Sequence, residues 1–315
     1  MLSRTAAGLY WMFRHLERAE NTARLVEAGA RIALTRWSED GGEWGSILDT
    51  LGAREDYLAR YAAIEGPAVW NHLLREASNA SSVLSSLRAA RSNAREVRTA
   101  LTREVFEAVN DSWREVSDAV ARPVAENRLP ALLRLVRQNS ALVRGALYGT
   151  MLRNEIFHFS RLGTYIERAD STARILDVKY YVLLPSVRLV GTQVDNVQWE
   201  TILRSVSAHR SYMWLHGGEV TPGGIAQFLI FDARMPRSLA YCYDRIDANL
   251  RELERMRGGR PTEARRLAGR LRAERLDPSR ADEVIDEGLH EVLTEFKARN
   301  NAVGRAVEAD FNFNG

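Results

Sequence analysis

Two ten-residue stretches, LERAENTARL at residues 16–25 and IERADSTARI at residues 166–175, decide the fold. They lie 150 positions apart, and each begins with a Glu-Arg pair, Glu17-Arg18 in the first and Glu167-Arg168 in the second. Both continue with an acidic residue and then with a Thr-Ala-Arg tripeptide. A match of this length between two parts of one chain indicates an internal duplication.

The duplication continues beyond these stretches in sequence order. At an offset of 155, Asp40, Trp44, Leu48, Tyr57 and Pro67 match Asp195, Trp199, Leu203, Tyr212 and Pro222. At an offset of 156, Leu73, Ser82, Asn93, Arg95 and Glu96 match Leu229, Ser238, Asn249, Arg251 and Glu252. We predict a first repeat at 1–121, a connecting helical region at 122–148 and a second repeat at 149–315. The two repeats are expected to pack as one globular unit about a pseudo-twofold axis.

The hydrophobic pattern predicts an all-α helical bundle, because apolar residues recur at helical spacing almost throughout and alternation with period two is scarce. Asp40 and Asp195 are predicted helix caps, as each precedes Glu43 or Gln198 by three residues. Prolines mark further predicted helix starts, and glycine pairs mark predicted helix ends. The predicted helices lie near 6–34, 41–63, 67–90, 92–121, 128–147, 149–183, 196–214, 222–233, 236–257, 262–274 and 279–309.

Each motif helix carries one charged stripe among apolar residues. At about 100° per residue, Glu17, Glu20, Arg24 and Glu27 share one face of the first helix. Glu167, Asp170, Arg174 and Asp177 share the corresponding face of the second. Arg18 and Arg168 are predicted to point to a different face. Because a helix that is apolar on most sides is buried, its stripe must face other charges or a polar cavity.

Two interpretations of the stripes remain open. In the first, they form a buried ion-pair network that fixes how the two repeats dock. In the second, they line a polar site whose arginines bind a carboxylate or phosphate. The predicted central network comprises Arg14, Glu17, Arg18, Glu20, Arg24, Glu27, Glu167, Arg168, Asp170, Arg174, Asp177 and Arg237. Within it, Glu17 and Glu167 are the candidates for a general acid or base.

One difference between the copies bears on where a site would form. Residues 79–82 read Asn-Ala-Ser-Ser, whereas the matching residues 235–238 read Met-Pro-Arg-Ser. A site to which Pro236 and Arg237 contribute would therefore be expected only in the second half.

Several other classes of function are disfavoured. Glu17 and Glu20 have the spacing of di-iron helices, but no histidine joins either stripe, so no metal is expected. No phosphate-binding or dinucleotide-binding glycine motif occurs, so no cofactor is expected. Cys242 lies in an aromatic helical stretch and is predicted to be a packed thiol rather than a nucleophile.

Composition restricts the environment and partners. The 315 residues are 45% hydrophobic and 27% charged, which is typical of a globular protein. A net charge of +3 disfavours nucleic acid as a partner, and no uncharged apolar run approaches the length of a membrane helix. A single cysteine and the lack of a secretory signal at residues 1–20 favour the cytoplasm.

The motif segments resemble the Alpha-E family of bacterial all-helical domains with a repeated Glu-Arg motif. The resemblance covers about residues 2–310 and includes YWMFRHLERAENTARL (10–25), ARSNAREVRTALTREVFEAVN (90–110), LGTYIERADSTARILDVKYY (162–181) and MPRSLAYCYDRIDANLREL (235–253). It implies a gene neighbour or fusion partner that is a circularly permuted ATP-grasp protein, often with a transglutaminase-like protein nearby.

The resemblance leads to one functional hypothesis and the residues to a second. The first is an accessory or substrate-handling subunit of an ATP-grasp-dependent peptide or amide ligation system, which itself does not bind ATP. The second is a stand-alone enzyme that acts on a charged peptide or amino-acid substrate at the Glu/Arg network between the repeats.

Overall fold

A computed structural model describes residues 2–34, 42–183, 193–217 and 220–313, without the side chains of 179–183 and 193–196. Within these residues the chain is all-α and contains no strand. The first half comprises α1 (Ser3–Ala33), α2 (Gly42–Leu51), α3 (Arg54–Leu58), α4 (Gly66–Leu74), α5 (Val83–Glu96), α6 (Arg103–Ala119) and α7 (Leu129–Thr150). The second comprises α8 (Glu155–Leu183), α9 (Gln193–Ser205), α10 (His209–His216), α11 (Pro222–Phe231), α12 (Leu239–Met256), α13 (Glu263–Arg275), α14 (Ala281–Asp286) and α15 (Leu289–Asp310).

The two longest helices, α1 and α8, pack against each other at the centre of the molecule. Helices α5 and α7 cover α1, while α12 and α15 cover α8. Two short helices each contact the long helix of the other half: α2 packs on α8, and α9 packs on α1. The charged motifs therefore lie on the most enclosed helices, as their apolar surroundings predict. Helix α7, which includes most of the predicted connecting region, packs on α1 and α6.

Several local features recur at matched positions of the two halves. Ser82 and Ser238 cap α5 and α12, each accepting a backbone N–H bond three residues later. Gly52 and Ser207 both adopt a left-handed backbone conformation, with φ of 64° and 58°. These parallels are consistent with the predicted duplication, which remains a prediction about the origin of the chain.

The predicted helices near 41–63, 67–90, 92–121, 196–214 and 279–309 are each interrupted, so these boundaries were wrong. The left-handed residues Gly52, Ser207 and Gly288 each lie between two helices. Ser82 and Thr102 interrupt the others, because their side chains cap the start of a new helix. Helical periodicity survives these short breaks, so the hydrophobic pattern alone does not reveal them.

Other predicted signals are located as expected. Pro67 and Pro222 lie in the first turns of α4 and α11, and Gly217 ends α10 in a left-handed conformation. The cap predicted at Asp40 lies outside the described residues, and the one at Asp195 lies outside the described side chains.

The crossing of α1 and α8 leaves no room for a side chain at Gly163. A Cβ atom there would lie 2.2 Å from the backbone oxygen of Tyr10. Gly163→Ala is therefore expected to reduce the free energy of unfolding by about 3 kcal/mol or more, because the two backbones must separate. Urea unfolding followed by helical circular dichroism measures the loss.

Gly269→Ala in α13 is the matched control, since a Cβ atom at that helical glycine meets nothing within 4 Å. We expect it to stabilise the protein by roughly 0.5–1 kcal/mol. Equal effects at the two glycines would contradict the close approach of α1 and α8.

Candidate functional site

The two Glu-Arg motifs exchange partners where α1 meets α8. Arg18 donates from Nε and Nη2 to Glu167, at 2.6 and 3.1 Å. Arg168 donates from Nε and Nη2 to Glu17, at 2.8 and 2.9 Å. Each pair is a two-bond fork, the arrangement in which guanidinium and carboxylate planes match. Adjacent residues of a helix point to different faces, as predicted for each Glu-Arg pair. The face that carries the arginine nevertheless contacts the motif of the other helix.

Glu20 is fully buried and is bound by three arginines from three helices or loops. Oε1 accepts bonds from Arg24 at 2.7 Å and from Arg237 at 2.6 Å. Oε2 accepts a bond from Arg144 of α7. Arg237 also donates to Asn21 at 3.1 Å. The long side chain of Arg237 thus reaches the first motif, and the expectation of a site with Pro236 and Arg237 only in the second half stays a prediction.

The second motif has fewer cationic partners. Arg174 donates to Asp170 Oδ2 at 2.5 Å, and Arg14 adds a bond to Glu167 at 2.9 Å. The other carboxylate oxygen of Asp170 is buried without a hydrogen-bond partner among the described residues. The residue that matches Arg237 in the first half is Ser81, whose short side chain cannot occupy the equivalent space.

The stripe arginines also tie each half to a short helix of the other. Arg24 donates to the carbonyl of Ser205 at 2.7 Å, and Arg174 donates to the carbonyl of Thr50 at 2.6 Å. Both carbonyls lie in the last turn of their helices, α9 and α2, where backbone oxygens lack helical partners. These contacts link α2 and α9 to the opposite half.

The outer stripe carboxylates bind the covering helices. Glu27 accepts bonds from Arg31 at 3.1 Å and from Arg137 of α7. Asp177 accepts bonds from His290 and Lys297 of α15, at 2.7 and 2.6 Å. All twelve residues of the predicted network therefore have charged or polar partners. Sequence reasoning missed the partners supplied by α7 and α15, which share no motif with the stripes.

The electrostatics favour ionised carboxylates. Burial alone would raise the pKa of Glu167, but the guanidiniums of Arg18 and Arg14 lower it to about 2. Burial would likewise raise the pKa values of Glu17 and Glu20. Nearby arginines lower both values, chiefly Arg168 for Glu17 and Arg237 for Glu20. A carboxyl group that is ionised and fully hydrogen-bonded at neutral pH is a poor proton donor or acceptor.

A cavity of about 240 Å³ opens beside the second motif. We call it the motif cavity; its polar lining includes Arg14, Arg18, Asn21, Ser81, Asp170 and Arg174. The cavity is lined by Ser81, whose match in the second half is Arg237. At the first motif, the Arg237 side chain fills the corresponding space. The arrangement can hold a small charged molecule, because guanidinium groups and one incompletely bonded carboxylate border the same space.

The remaining candidate chemistry is limited. Within the described residues, no group of three or more His, Cys, Asp and Glu side chains is placed to hold a metal ion. Cys242 is buried, and burial raises the pKa of its thiol to about 12, so it lacks the thiolate of a nucleophile. None of the helices that the structure describes is long and apolar enough to span a membrane.

The fold and the exchanged pairs define an all-α protein whose halves meet through a repeated Glu-Arg motif. A family model described as "a predicted alpha-helical domain with a conserved ER motif", named Alpha-E, matches residues 1–311. The chain therefore belongs to the Alpha-E family, which confirms the resemblance seen in the sequence.

Among curated proteins, the chain is similar to "Uncharacterized protein Mb2597" of Mycobacterium bovis and "Uncharacterized protein Rv2567" of Mycobacterium tuberculosis. Identity to each is 25% over 323 residues, covering 96% of this chain and 36% of the relative. The chain thus spans about a third of the length of these relatives. No solved structure matches it.

Glu17→Gln is expected to reduce the free energy of unfolding by about 3–5 kcal/mol, because it removes a charge partner from the buried Arg168. Glu107→Gln is the matched control, since Glu107 is 52% exposed in its pair with Arg103. The control should cost less than about 0.5 kcal/mol in the same denaturant titration. A loss below about 1 kcal/mol at Glu17 would show that the buried pair does not hold the fold.

Acid stability should depend on Glu167. Its pKa is lowered from 4.5 in the unfolded chain to about 2, so its contribution is present above pH 4.5 and lost as pH falls through 2. As pH falls from 4.5 to 2, the unfolding free energy of the wild type should decrease more than that of Glu167→Gln. The difference between the two decreases should be on the order of 3 kcal/mol. Parallel pH profiles for the two proteins would contradict this assignment.

Proposed function

We propose that this chain is an accessory or substrate-handling subunit of an ATP-grasp-dependent peptide or amide ligation system and does not itself bind ATP. The observation that carries the proposal is the motif cavity at the junction of the halves. Membership of the Alpha-E family supports the partner, a circularly permuted ATP-grasp protein. We also propose a transglutaminase-like protein as a further component and the cytoplasm as the location.

The chemistry of the cavity suits a substrate of amide ligation. Such a reaction joins a carboxylate to an amine, and both groups are charged in water at neutral pH. Arg14, Arg18 and Arg174 offer cations for the first group, while Asp170 offers an anion for the second. About two thirds of the length of each relative lies outside the region that this chain matches, which is consistent with a partner domain in the same protein.

The alternative, a stand-alone enzyme acting on a charged peptide or amino acid, uses the same cavity. It requires a group that exchanges a proton with the substrate. Glu17 and Glu167, the catalytic candidates, are each held ionised by forked arginine bonds. We therefore favour substrate handling, with the activating chemistry performed by the partner.

The test is reconstitution with the ATP-grasp protein encoded in the same genome. We expect a stoichiometric complex on size-exclusion chromatography and at least a tenfold increase in ATP-dependent amide formation. Absence of both complex formation and any change in turnover would contradict the proposal. Turnover by the chain alone, without the ligase or ATP, would instead support the stand-alone enzyme.

Ser81→Arg tests the role of the cavity, because it places an arginine at the position that matches Arg237. This variant should keep the complex but lose most of the stimulation. Ala131→Arg adds the same charge at an exposed position of α7 and should behave as the wild type. Full stimulation with Ser81→Arg would show that the substrate does not occupy the motif cavity.

A further inference from the structure

Among the residues that the structure describes, one buried arginine lacks the acidic partner that the other buried arginines have. Within the described residues, four arginines are buried: Arg24, Arg161, Arg168 and Arg237. Three of them form ion pairs with Glu17 or Glu20. Arg161 forms none there; one of its nitrogens, Nη2, donates to the hydroxyl of Tyr165. Its other N–H groups have no acceptor among the described residues.

Aromatic rings only partly replace the missing anion. The Arg161 guanidinium lies 4.4 Å from the ring centre of Tyr148 and 4.3 Å from that of Tyr165. Such contacts stabilise a cation by about 0.5–2 kcal/mol. Burial and the nearby Arg168 lower the pKa of Arg161, so the site disfavours its positive charge as it stands. An unpaired buried guanidinium is costly unless a ligand supplies the anion.

Arg161 lines a second cavity, of about 270 Å³, together with Arg144, Thr164, Arg168 and Tyr241. We call it the Arg161 cavity. No carboxylate lines it within the described part of the chain. Arg144 and Arg168 also bind the stripe glutamates Glu20 and Glu17. The charged residues that line the cavity, among those described, are therefore all cationic.

We propose that the Arg161 cavity binds the oxyanion group of a small molecule, a carboxylate or a phosphate. Arg161 would be its principal ligand, since a guanidinium presents paired N–H donors that fit two oxygens of either group. Arg144 and Arg168 add positive charge, and the tyrosine rings border the organic part of the ligand. This inference does not depend on the proposed ligase partnership.

The site is expected only once in the molecule. At the motif offset of 150, the residue of α1 that matches Arg161 is Trp11, and the one that matches Tyr165 is His15. Neither can supply a permanent cation. The Arg161 cavity is separate from the motif cavity, because the two linings share no residue.

The experiment is calorimetric titration of the purified protein with inorganic phosphate and, separately, with succinate, at constant ionic strength held by chloride. We expect one of them to bind at one site and to raise the melting temperature. Tighter binding of phosphate assigns a phosphorylated ligand, and tighter binding of succinate assigns a carboxylate. No binding of either above the chloride background would overturn the proposal.

Arg161→Met should weaken that binding at least tenfold while leaving the protein as stable as the wild type, because the substitution removes an unpaired buried charge. Arg103→Met is the matched control: the Arg103 side chain is 79% exposed in its pair with Glu107 and does not line the cavity. It should change binding less than twofold. If Arg161→Met does not fold, Arg161→Lys keeps the charge without the fork and should still weaken binding tenfold. Unchanged affinity in a folded Arg161 variant would overturn the proposal.

Discussion

The structure depends on the exchange of buried ion pairs between α1 and α8. Glu17, Arg18, Glu167 and Arg168 satisfy one another only when both helices are present and correctly aligned. If the helices moved apart while their side chains stayed buried, the charges would be unpaired in an apolar interior, at a cost of several kcal/mol for each ion. The backbone contact at Gly163 fixes the same crossing sterically. The fold therefore positions its halves by charge matching as well as by apolar burial.

The two halves use the same motif differently. In the first, Arg237 and Arg144 fill the space around Glu20, and the cluster is closed. In the second, Ser81 stands where an arginine would close it, and a polar cavity remains beside Asp170. The structural and functional interpretations of the stripes are thus compatible. One motif serves mainly to hold the protein together, and the other also borders a space large enough for a small ligand.

The sequence predicted the all-α class, because helical spacing acts over long stretches. The twelve residues that it singled out all have charged or polar partners in the structure. It did not predict the roles of Arg144 and Arg161, since only two of the 44 basic residues are lysine and single arginines carry little information in this chain. It also did not show that Arg237 contacts the first motif, because a loop side chain can reach across a helix interface. Short breaks such as that at Ser207 depend on local capping and backbone geometry, to which periodicity is insensitive.

The central claim is that the exchanged pairs couple the two halves, and a double-mutant cycle on Arg18 and Glu167 tests it most directly. Arg18→Met, Glu167→Met and the double variant would be compared with the wild type by denaturant unfolding. We expect a coupling free energy of about 2 kcal/mol or more, within the range for interacting residues. The same cycle on the exposed pair Arg103 and Glu107 should give about 0.3–0.5 kcal/mol. A coupling between Arg18 and Glu167 as small as that of the exposed pair would contradict the account.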